Sequence, residues 1–488
     1  MKRRVLLFVA DGLRNDLFNA DLMPTVAKLA AEGIRCTDHH SVYPTHTRVI
    51  SSTLATGATP GRHGIVANTM IVPDAREDHI IDTSDYRHMF ALDAASGGKA
   101  HLVPNLGDML ITQGERVAIA ATSSPGAAMM WSYRHLTRMV NTNSAYGIAD
   151  LYDLREKLGP IPEHELGARV AVQDYAARAV TDLYLDDEEN RVIVMWFCEP
   201  DSSLHKFGLG SPESEVGMRV VDAAIQHVLD ALDQRGIREQ FDIFFLSDHG
   251  HSTVQAHNTL RDYLRIAQQE IGHTLPALTT ASDYIYTQPG TAEPTAAELA
   301  PLVEWLTAQP WCGLVMGGRD DLAQLPGVLP LSVVWNNHTN APSINGRWPL
   351  LAVSPTWSHG PNEFGVPGTV MSLTTQAALK SSHGSLSPYD MHPVLIANGP
   401  SIQSGATSNL PTGAVDVLPT MLTLLGVPLP SHLDGRVLWE LLNDPQGEVG
   451  EHSTEVIEPT NILAGQTTPQ LQIEHVGQTS YVHGQLLT

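Results

Sequence analysis

Near its start the chain carries an apolar run that ends on an acidic residue, VLLFVADG (residues 5–12), and two later runs repeat this form. They read VIVMWFCEPD (192–201) and FDIFFLSDHG (241–250), and the acidic residues are Asp11, Asp201 and Asp248. Short continuous apolar runs are typical of strands that are covered on both faces. In an open parallel sheet the chemistry lies beyond the carboxyl ends of the strands, so we expect these three carboxylates to meet there.

Three carboxylates at close range repel one another, and a cluster of metal ions is the simplest positive partner. Two histidines support this interpretation, because His205 lies four residues after Asp201 and His249 directly follows Asp248. Carboxylate oxygens mixed with imidazole nitrogens suit zinc or a similar divalent ion. The sequence therefore predicts a metal site at the ends of the three strands.

Composition limits the classes of partner. The 488 residues carry a formal net charge of −24, which argues against a nucleic-acid polymer or an anionic membrane. A small phosphate substrate remains compatible, because bound dications reverse the local sign of the charge. The three cysteines, Cys36, Cys198 and Cys312, are widely spaced and indicate neither a zinc knuckle nor a disulfide framework. Association into a homo-oligomer stays open.

The basic start MKRR resembles the beginning of a signal peptide. The apolar run that follows is short, Val5 to Ala10, and no cleavage-site pattern of small residues comes after it. We therefore interpret it as the first core strand. The chain also lacks an apolar stretch of about 20 residues, so we expect no membrane span and a cytoplasmic location.

Strands and helices alternate along most of the chain, which predicts an α/β fold with a mainly parallel central sheet flanked by helices. Further core strands are predicted at 116–122 and 392–400, and helices at 23–34, 164–186, 211–236 and 414–426. We assign residues 1–442 to one catalytic domain. Within it, 275–370 has a different texture, with short strands predicted at SDYIYTQ (282–288), CGLVMGG (312–318) and LSVVW (331–335), and is expected to be an inserted α+β cap subdomain. Residues 443–488 form a C-terminal extension that could cover a sheet edge or a partner subunit.

A second signal lies in SVYPTHTRVISSTLATGATPGRHGIVAN (41–68). Pro44 and two threonines, Thr45 and Thr47, precede a segment with helical character. A hydroxyl at a helix N-terminus lies in a positive field beside free N–H groups, which favours an attacking alkoxide and a bound anion. A threonine in this position is usually only a helix cap, and the neighbouring metal cluster is what favours the catalytic interpretation.

Taken together, six segments in this order resemble the alkaline phosphatase superfamily, most closely its nucleotide pyrophosphatase/phosphodiesterase branch. The resemblance runs from Val5 to about Leu438. The segments are VADG, YPTHT with ATGATPGRHGIVAN, EPDSSLHKFG, LSDHGHS, the SHG at 382–384, and VDVLPTMLTLLGVPLPSHLDGRVL. Each is weak alone, and their combination in one chain is specific.

The resemblance implies a metal-dependent hydrolase that cleaves phosphodiester or phosphoanhydride bonds through a covalent phosphothreonine intermediate. It implies two divalent metal ions per chain, for which we expect zinc, with manganese or iron as alternatives. One ion would be held by Asp201, His205 and His383. The other would be held by Asp11, Asp248, His249 and Thr47. The substrate would be a small phosphate- or phosphonate-containing molecule.

The resemblance also assigns the two remaining catalytic roles. In the family the nucleophile precedes the phosphate-binding asparagine by 21 residues, the interval between Thr47 and Asn68. Thr47 is therefore the predicted nucleophile, with Thr45 as the competing hydroxyl, and Asn68 would donate its amide to a phosphoryl oxygen. Other histidines, namely His39, His40, His46, His251 and His359, are expected at the surface or behind the ligands, with His251 the best candidate for the latter.

One departure from the family pattern bears on the substrate. The family's phosphodiesterases usually carry an aromatic-Pro-Asn run after the nucleophile, whereas this chain has Arg48-Val49-Ile50. The change weakens the case for a nucleotide base that stacks there. Arg48 could bind a second anion, a terminal phosphate or a carboxylate of the substrate, or it could be an ordinary surface arginine on the first helical turn.

Other functions stay open from the sequence. A phosphomonoesterase or a phosphonate hydrolase of the phosphonoacetate type could use the same two-metal site. A sulfatase and a mutase are disfavoured, because the residues around Thr47 match neither pattern. A non-catalytic, metal-stabilised binding protein is the distant alternative, and it would normally lack a nucleophile or a ligand.

Overall fold

The three apolar runs form neighbouring strands of an eight-stranded sheet in a computed structural model of the chain. The structure describes residues 2–135, 138–143, 151–163, 170–272, 275–336, 346–371, 373, 378–462 and 468–487. In spatial order the strands of the sheet are Ala406–Ser408, Ile34–Cys36, Leu395–Asn398, Phe241–Leu246, Arg4–Ala10, Asn190–Phe197, Arg116–Ala121 and Met139–Asn141.

The central strands of this sheet are parallel and in register at their carboxyl ends. Ala10 lies opposite Phe197, and Val9 lies opposite Leu246. Leu395–Asn398 is antiparallel to both of its neighbours, while the other pairings in the sheet are parallel. The predicted mainly parallel sheet is therefore confirmed, and it brings the ends of the three acidic runs to one edge.

The strand Arg4–Ala10 is buried on both faces, as its sequence predicts. Val5, Leu7 and Val9 belong to one apolar cluster, while Leu6 and Phe8 belong to a second cluster on the other face. Each such side chain contributes about 1.5–3 kcal/mol when it leaves water. Two cores therefore fix this strand, and with it the position of the residues that follow.

Fourteen α-helices lie in the described residues. They are Pro24–Glu32, Thr47–Thr56, Pro60–His63, Tyr86–Ala95, Leu106–Ile111, Pro125–Met129, Leu151–Leu158, Val170–Ala179, Asp201–Phe207, Pro212–Arg235, Leu260–Ile271, Ala296–Thr307, Pro388–Met391 and Ala414–Leu425. The helix predicted at 211–236 begins after Ser211, whose side chain accepts from the Ser214 N–H, and ends at Gly236 in the left-handed conformation. Of the segment 164–186, residues 164–169 lie outside the described residues, and the α-helix continues as a π-helix at Val180–Tyr184.

A separate five-stranded sheet lies in the region for which an inserted subdomain is predicted. Its strands in spatial order are Leu278–Ala281, Tyr284–Thr287, Leu351–Pro355, Cys312–Gly317 and Val328–Pro330. The prediction of a strand at LSVVW (331–335) is wrong, because Leu331–Trp335 forms a 3₁₀ helix. The buried residues of this segment are Leu331, Val334 and Trp335, and the interval of three from Leu331 to Val334 is that of one turn of a 3₁₀ helix.

Smaller sheets complete the fold. Four strands, Trp357–Pro361, Pro367–Val370, Ser252–Val254 and Ser381–Ser382, form one of them. The pairs are His39–His40 with Thr412–Gly413, and Thr69–Ile71 with Ile80–Asp82. The C-terminal extension forms a sheet of three strands, His452–Ile457, Gln470–Val476 and Thr479–Leu486. Leu471, Ile473 and Tyr481 of this sheet belong to the main apolar core, so the last strands pack against the rest of the chain.

Among the residues described, no helix combines the length and the apolar character that crossing a bilayer requires.

Candidate active site

Backbone hydrogen bonds hold the three predicted carboxylates together at the sheet edge. The Asp201 N–H donates to the Asp11 carbonyl at 2.9 Å, and the Asp11 N–H donates to the Phe197 carbonyl at 3.2 Å. The Gly12 N–H donates to Asp248 Oδ1 at 3.1 Å. Gly12 has a positive φ of 78°, and a Cβ there would lie 2.8 Å from the ring of His251, so the turn requires glycine.

One half of the cluster is centred on Asp201. Its Oδ1 lies 2.8 Å from His251 Nε2, 3.2 Å from His205 Nε2 and 3.6 Å from His383 Nε2. His205 belongs to the helix Asp201–Phe207, one turn after the carboxylate, whereas His383 comes from a distant loop that follows the strand Ser381–Ser382. The structure thus brings the three residues of the first predicted ligand set together, and it adds His251.

The other half contains Asp11, Asp248 and His249. His249 Nε2 lies 3.2 Å from Asp248 Oδ2 and 3.4 Å from Asp11 Oδ1. The imidazole of His249 stacks on that of His383 with 3.6 Å between the ring centroids, so the two halves of the cluster are in direct contact. Every ligand of the second predicted set therefore lies in this half, since Thr47 contacts His249 as described below.

The imidazoles present the nitrogen that metal ions bind. The Nδ1 atoms of His205, His249 and His383 donate to the backbone carbonyls of Ser381, Gly250 and Thr45 at 2.7, 3.0 and 2.6 Å. A carbonyl can only accept, so Nδ1 carries a proton, and in the neutral ring Nε2 offers a lone pair toward the cluster. Outer hydrogen bonds of this kind orient histidines that bind metals.

The carboxylates hold more negative charge than their neighbours offset. Burial, with the charges of Asp248 and Asp201, raises the pKa of Asp11 well above its usual range, and burial also raises the pKa of Asp248. Burial would raise the pKa of Asp201 as well, but contacts with His205 and His251 outweigh it and hold this pKa well below the ordinary value. Among the described residues, Asp11 Oδ1 and Asp248 Oδ2 are buried without a hydrogen-bond partner. This donor set fits divalent cations.

Thr47 places a hydroxyl directly against this cluster. It is the first residue of the helix Thr47–Thr56, and its Oγ1 donates to His249 Nε2 at 3.3 Å. Thr45 has a different environment, because its Oγ1 accepts from the Gly384 N–H at 2.7 Å and donates to the Ser385 carbonyl at 3.3 Å. The Thr45 hydroxyl therefore holds the loop of His383, and the Thr47 hydroxyl is the one that faces the cluster.

Asn68 and Arg48 lie beside Thr47 in the same cleft, which has a volume of about 750 Å³. The backbone N–H of Arg48 donates to Asn68 Oδ1 at 3.2 Å, so the side-chain NH₂ group of Asn68 stays available for another acceptor. Burial lowers the pKa of Arg48, and the charges of Asp82 and of the three clustered carboxylates act in the opposite direction. Its Nε has no hydrogen-bond partner among the described residues.

Sequence reasoning gave no role to two other residues of the cleft. His46, which was expected at the surface or behind the ligands, is only 7% exposed and accepts from the Asn68 N–H at Nδ1. Asp283 reaches the cleft from the turn between the first two strands of the five-stranded sheet, and its carboxylate lies 3.8 Å from His46 Nε2. Burial raises the pKa of Asp283 to about 7. The position of His46 beside Thr47 could have suggested a role, whereas no local pattern marks Asp283.

Comparison with known proteins identifies a matching family and several relatives. The family described as type I phosphodiesterase/nucleotide pyrophosphatase matches residues 5–304. A venom phosphodiesterase of Macrovipera lebetinus is 24% identical over 258 residues, which are 51% of this chain and 26% of that protein. Ectonucleotide pyrophosphatase/phosphodiesterase family member 1 of Homo sapiens is 24% identical over 249 residues, or 50% and 23% of the two chains. The chain thus aligns with about a quarter of the length of these relatives.

Solved structures agree on the fold. An inactive form of murine ectonucleotide pyrophosphatase/phosphodiesterase 5, in complex with AMP, has a TM-score of 0.62 and 18% identity, and covers 91% of this chain and 100% of that one. The human form of the same protein has a TM-score of 0.59 and 19% identity, with coverage of 91% and 100%. These likenesses confirm an alkaline phosphatase-like fold.

Proposed function

The chain belongs to the type I phosphodiesterase/nucleotide pyrophosphatase family, and from this premise we propose that it is a metal-dependent hydrolase of phosphodiester or phosphoanhydride bonds. The observation that carries the proposal is the contact of Thr47 Oγ1 with His249, at the point where a helix begins and a carboxylate cluster lies open to a cleft. A hydroxyl so placed can attack a phosphorus atom that is bound in the cleft.

We assign two metal positions. Asp201, His205 and His383 would hold one ion, and Asp11, Asp248, His249 and Thr47 would hold the other, with zinc as the expected metal. His251 is an additional candidate for the first position, because its Nε2 lies nearest to Asp201. When bound, such ions supply positive charge that lowers the pKa of the threonine hydroxyl and offsets the charge on the phosphoryl group.

Thr47 would form a covalent intermediate. Its Oγ1 makes the bond to phosphorus, the bond from phosphorus to the leaving oxygen breaks, and the hydroxyl proton is released. Water then attacks the phosphothreonine from the vacated side, which frees the phosphate product and restores the hydroxyl. The field of the helix that begins at Thr47 favours the anionic forms along this path.

Asn68 would stabilise the transition state. Its Oδ1 is held by the Arg48 N–H, which fixes the amide plane and leaves the NH₂ group for a phosphoryl oxygen. A preorganised donor of this kind contributes roughly 10²–10³ in rate.

Arg48 would select substrates that carry a second anion. It lines the cleft together with Thr47 and Asn68 and has an unpartnered Nε among the described residues. A nucleotide with a further phosphate would satisfy it, and the AMP complex of the murine relative supports a nucleotide as the substrate. A carboxylated phosphonate would also satisfy it, which is why a phosphonate hydrolase is the second candidate, beside a phosphomonoesterase on the same site.

The five-stranded sheet would act as a cap over the cleft. Thr280, Ser282 and Asp283 line the same cleft as Thr47, so this region can contribute to specificity. We propose that residues 1–442 form the catalytic domain, with 275–370 inserted in it as a cap, and that residues 443–488 form a C-terminal extension that packs against it.

A substrate panel tests the proposed function. Zinc-loaded protein is assayed with bis-p-nitrophenyl phosphate, p-nitrophenyl phosphate, p-nitrophenyl phenylphosphonate, phosphonoacetate and a dinucleoside polyphosphate. The proposal predicts the highest kcat/KM on a diester or anhydride. A higher value on the monoester or on phosphonoacetate would transfer the assignment to that alternative, and inactivity on the whole panel would favour a binding protein.

A further inference from the structure

A second group of metal-ligating side chains lies away from the cleft. Asp38, His40, His392 and His483 each offer one ligand atom, and these four atoms lie within 4.8 Å of one another. His40 ends the two-residue strand His39–His40, His392 follows the helix Pro388–Met391, and His483 belongs to the last strand, Thr479–Leu486. We refer to these four residues as the clasp cluster.

Hydrogen bonds fix the tautomers of two of its histidines. His40 Nδ1 lies 3.0 Å from the Thr412 carbonyl, and His392 Nδ1 lies 2.9 Å from the Pro388 carbonyl. A carbonyl can only accept, so both Nδ1 atoms carry protons. Burial lowers the pKa of both imidazoles, to about 3 for His40, so the rings are neutral and each Nε2 holds a lone pair.

These lone pairs meet a carboxylate. His40 Nε2 lies 3.4 Å and His392 Nε2 lies 4.0 Å from Asp38 Oδ1. The side chain of His40 is 0% exposed. Among the described residues, the Nε2 atoms of His40 and His392 and the Nδ1 of His483 are buried without a hydrogen-bond partner. Buried polar atoms without a partner are costly, and a proton on Asp38 could satisfy only one of them. A cation at the centre would satisfy all of them.

We propose that the clasp cluster binds one zinc ion, at a site separate from the candidate active site. Zinc binds imidazole nitrogens and carboxylate oxygens, and four such ligands match its preferred tetrahedral coordination. Bonds of about 2.0–2.1 Å in a tetrahedron separate neighbouring ligand atoms by about 3.4 Å, so small movements of the side chains close the site.

The position of this site gives the C-terminal extension a role. Asp38, His40 and His392 belong to the catalytic domain, whereas His483 belongs to the extension. The ring of Tyr481, two residues earlier, stacks on His40 with 5.7 Å between the centroids. An ion held by all four residues therefore fastens the last strand to the catalytic domain.

Anomalous diffraction at the zinc absorption edge tests the site directly. Crystals of the zinc-loaded full chain should show a peak bonded to Asp38, His40, His392 and His483 at about 2.0–2.1 Å. Peaks between the active-site ligands show that the crystals are loaded. A peak there together with none in the clasp cluster would overturn the proposal.

Metal content in solution gives an independent test. The matched variants are His483→Gln and His475→Gln, because His475 lies in the same sheet but pairs with Ser480 and Glu455. After zinc loading and gel filtration, His483→Gln should hold about one equivalent less zinc per chain than the wild type, while His475→Gln should match the wild type.

Asp38→Asn covers the case in which His483→Gln fails to fold, because Asp38 is 30% exposed and the amide keeps its shape. It should also lose about one equivalent of zinc. Wild-type zinc content in the folded variants would contradict the proposal, as would an equal loss in His475→Gln.

Discussion

The candidate active site and the clasp cluster are both built from aspartates and histidines, but they differ in their access to solvent and in their neighbours. The active site is rich in carboxylates, opens to a cleft of about 750 Å³ and has a hydroxyl at its edge. The clasp cluster has three imidazoles and one carboxylate, and it is lined by Thr412 and Pro388 carbonyls that fix its rings. Catalytic metal sites keep a position open for substrate, whereas structural sites are closed by protein ligands. Both clusters combine aspartate with histidine, and the open cleft and the adjacent hydroxyl are what distinguish the candidate active site.

The largest expected effect sharpens the catalytic side of this comparison. Thr47→Ala removes the proposed nucleophile and should lower kcat/KM by on the order of 10⁴-fold or more, while the metal content stays unchanged. Thr47→Ser should recover part of the activity. The steady-state rate on bis-p-nitrophenyl phosphate and the bound zinc are measured on the same samples.

Thr45→Ser is the matched control, because it keeps the hydroxyl that accepts from the Gly384 N–H. It should stay within about threefold of the wild type. A rate for Thr47→Ala equal to that of Thr45→Ser would remove Thr47 from the mechanism.

The second prediction separates the two sites by their carboxylates. Asp248→Asn should lower kcat/KM by on the order of 10²-fold or more, since it weakens the active-site metal. Asp38→Asn should leave kcat/KM within about twofold and instead lower the thermal midpoint. Chelation of the wild type should abolish turnover, and zinc should restore it. Full activity of the chelated, metal-free protein would break the account of the active site.

The third prediction concerns substrate choice within the open site. Arg48→Ala should lower kcat/KM more on a nucleotide or carboxylated substrate than on bis-p-nitrophenyl phosphate, because only the former offers an anion to the guanidinium. The difference in activation free energy should be about 1.5–3 kcal/mol. This differential is roughly tenfold to over a hundredfold. Equal losses on both substrates would indicate that Arg48 only supports the fold.

The smallest expected effect tests the closed site. His483→Gln should lower the free energy of unfolding by about 1–2 kcal/mol in zinc-containing buffer, and by less after chelation. The extension has other anchors, such as the Gln485 N–H that donates to the Leu386 carbonyl, so it should remain folded. His475→Gln should change the free energy by less than about 0.5 kcal/mol. Chemical denaturation in both buffers measures the difference, and identical curves for His483→Gln and the wild type would contradict it.

Local patterns explain how much of the fold the sequence could predict. The strands that end near Asp11, Asp201 and Asp248 are continuous apolar runs with acidic ends, and their parallel arrangement is the one expected of strands buried on both faces. Helix bounds at Ser211 and Gly236 follow from capping chemistry. The strand prediction for LSVVW (331–335) was wrong because a short apolar run fits a strand and a short helix equally well.

The site residues that belong to sequence motifs could be predicted. Asp11, His249 and Thr47 stand in recognisable segments, and the structure brings them together. Asp283 and the clasp cluster were not predictable, because tertiary packing alone joins positions as distant as Asp38 and His483. The roles of the ligands, of Asn68 and of Arg48 stay predictions that the variants above address.

The central claim is that Thr47 carries the phosphoryl group during turnover. Acid quench of the zinc-loaded protein during hydrolysis of bis-p-nitrophenyl phosphate, followed by proteolysis and mass spectrometry, locates that group. The account predicts a p-nitrophenylphosphoryl adduct on the peptide that contains Thr47, absent from Thr47→Ala. An adduct on Thr45, or turnover of the diester with no adduct on either threonine, would contradict it.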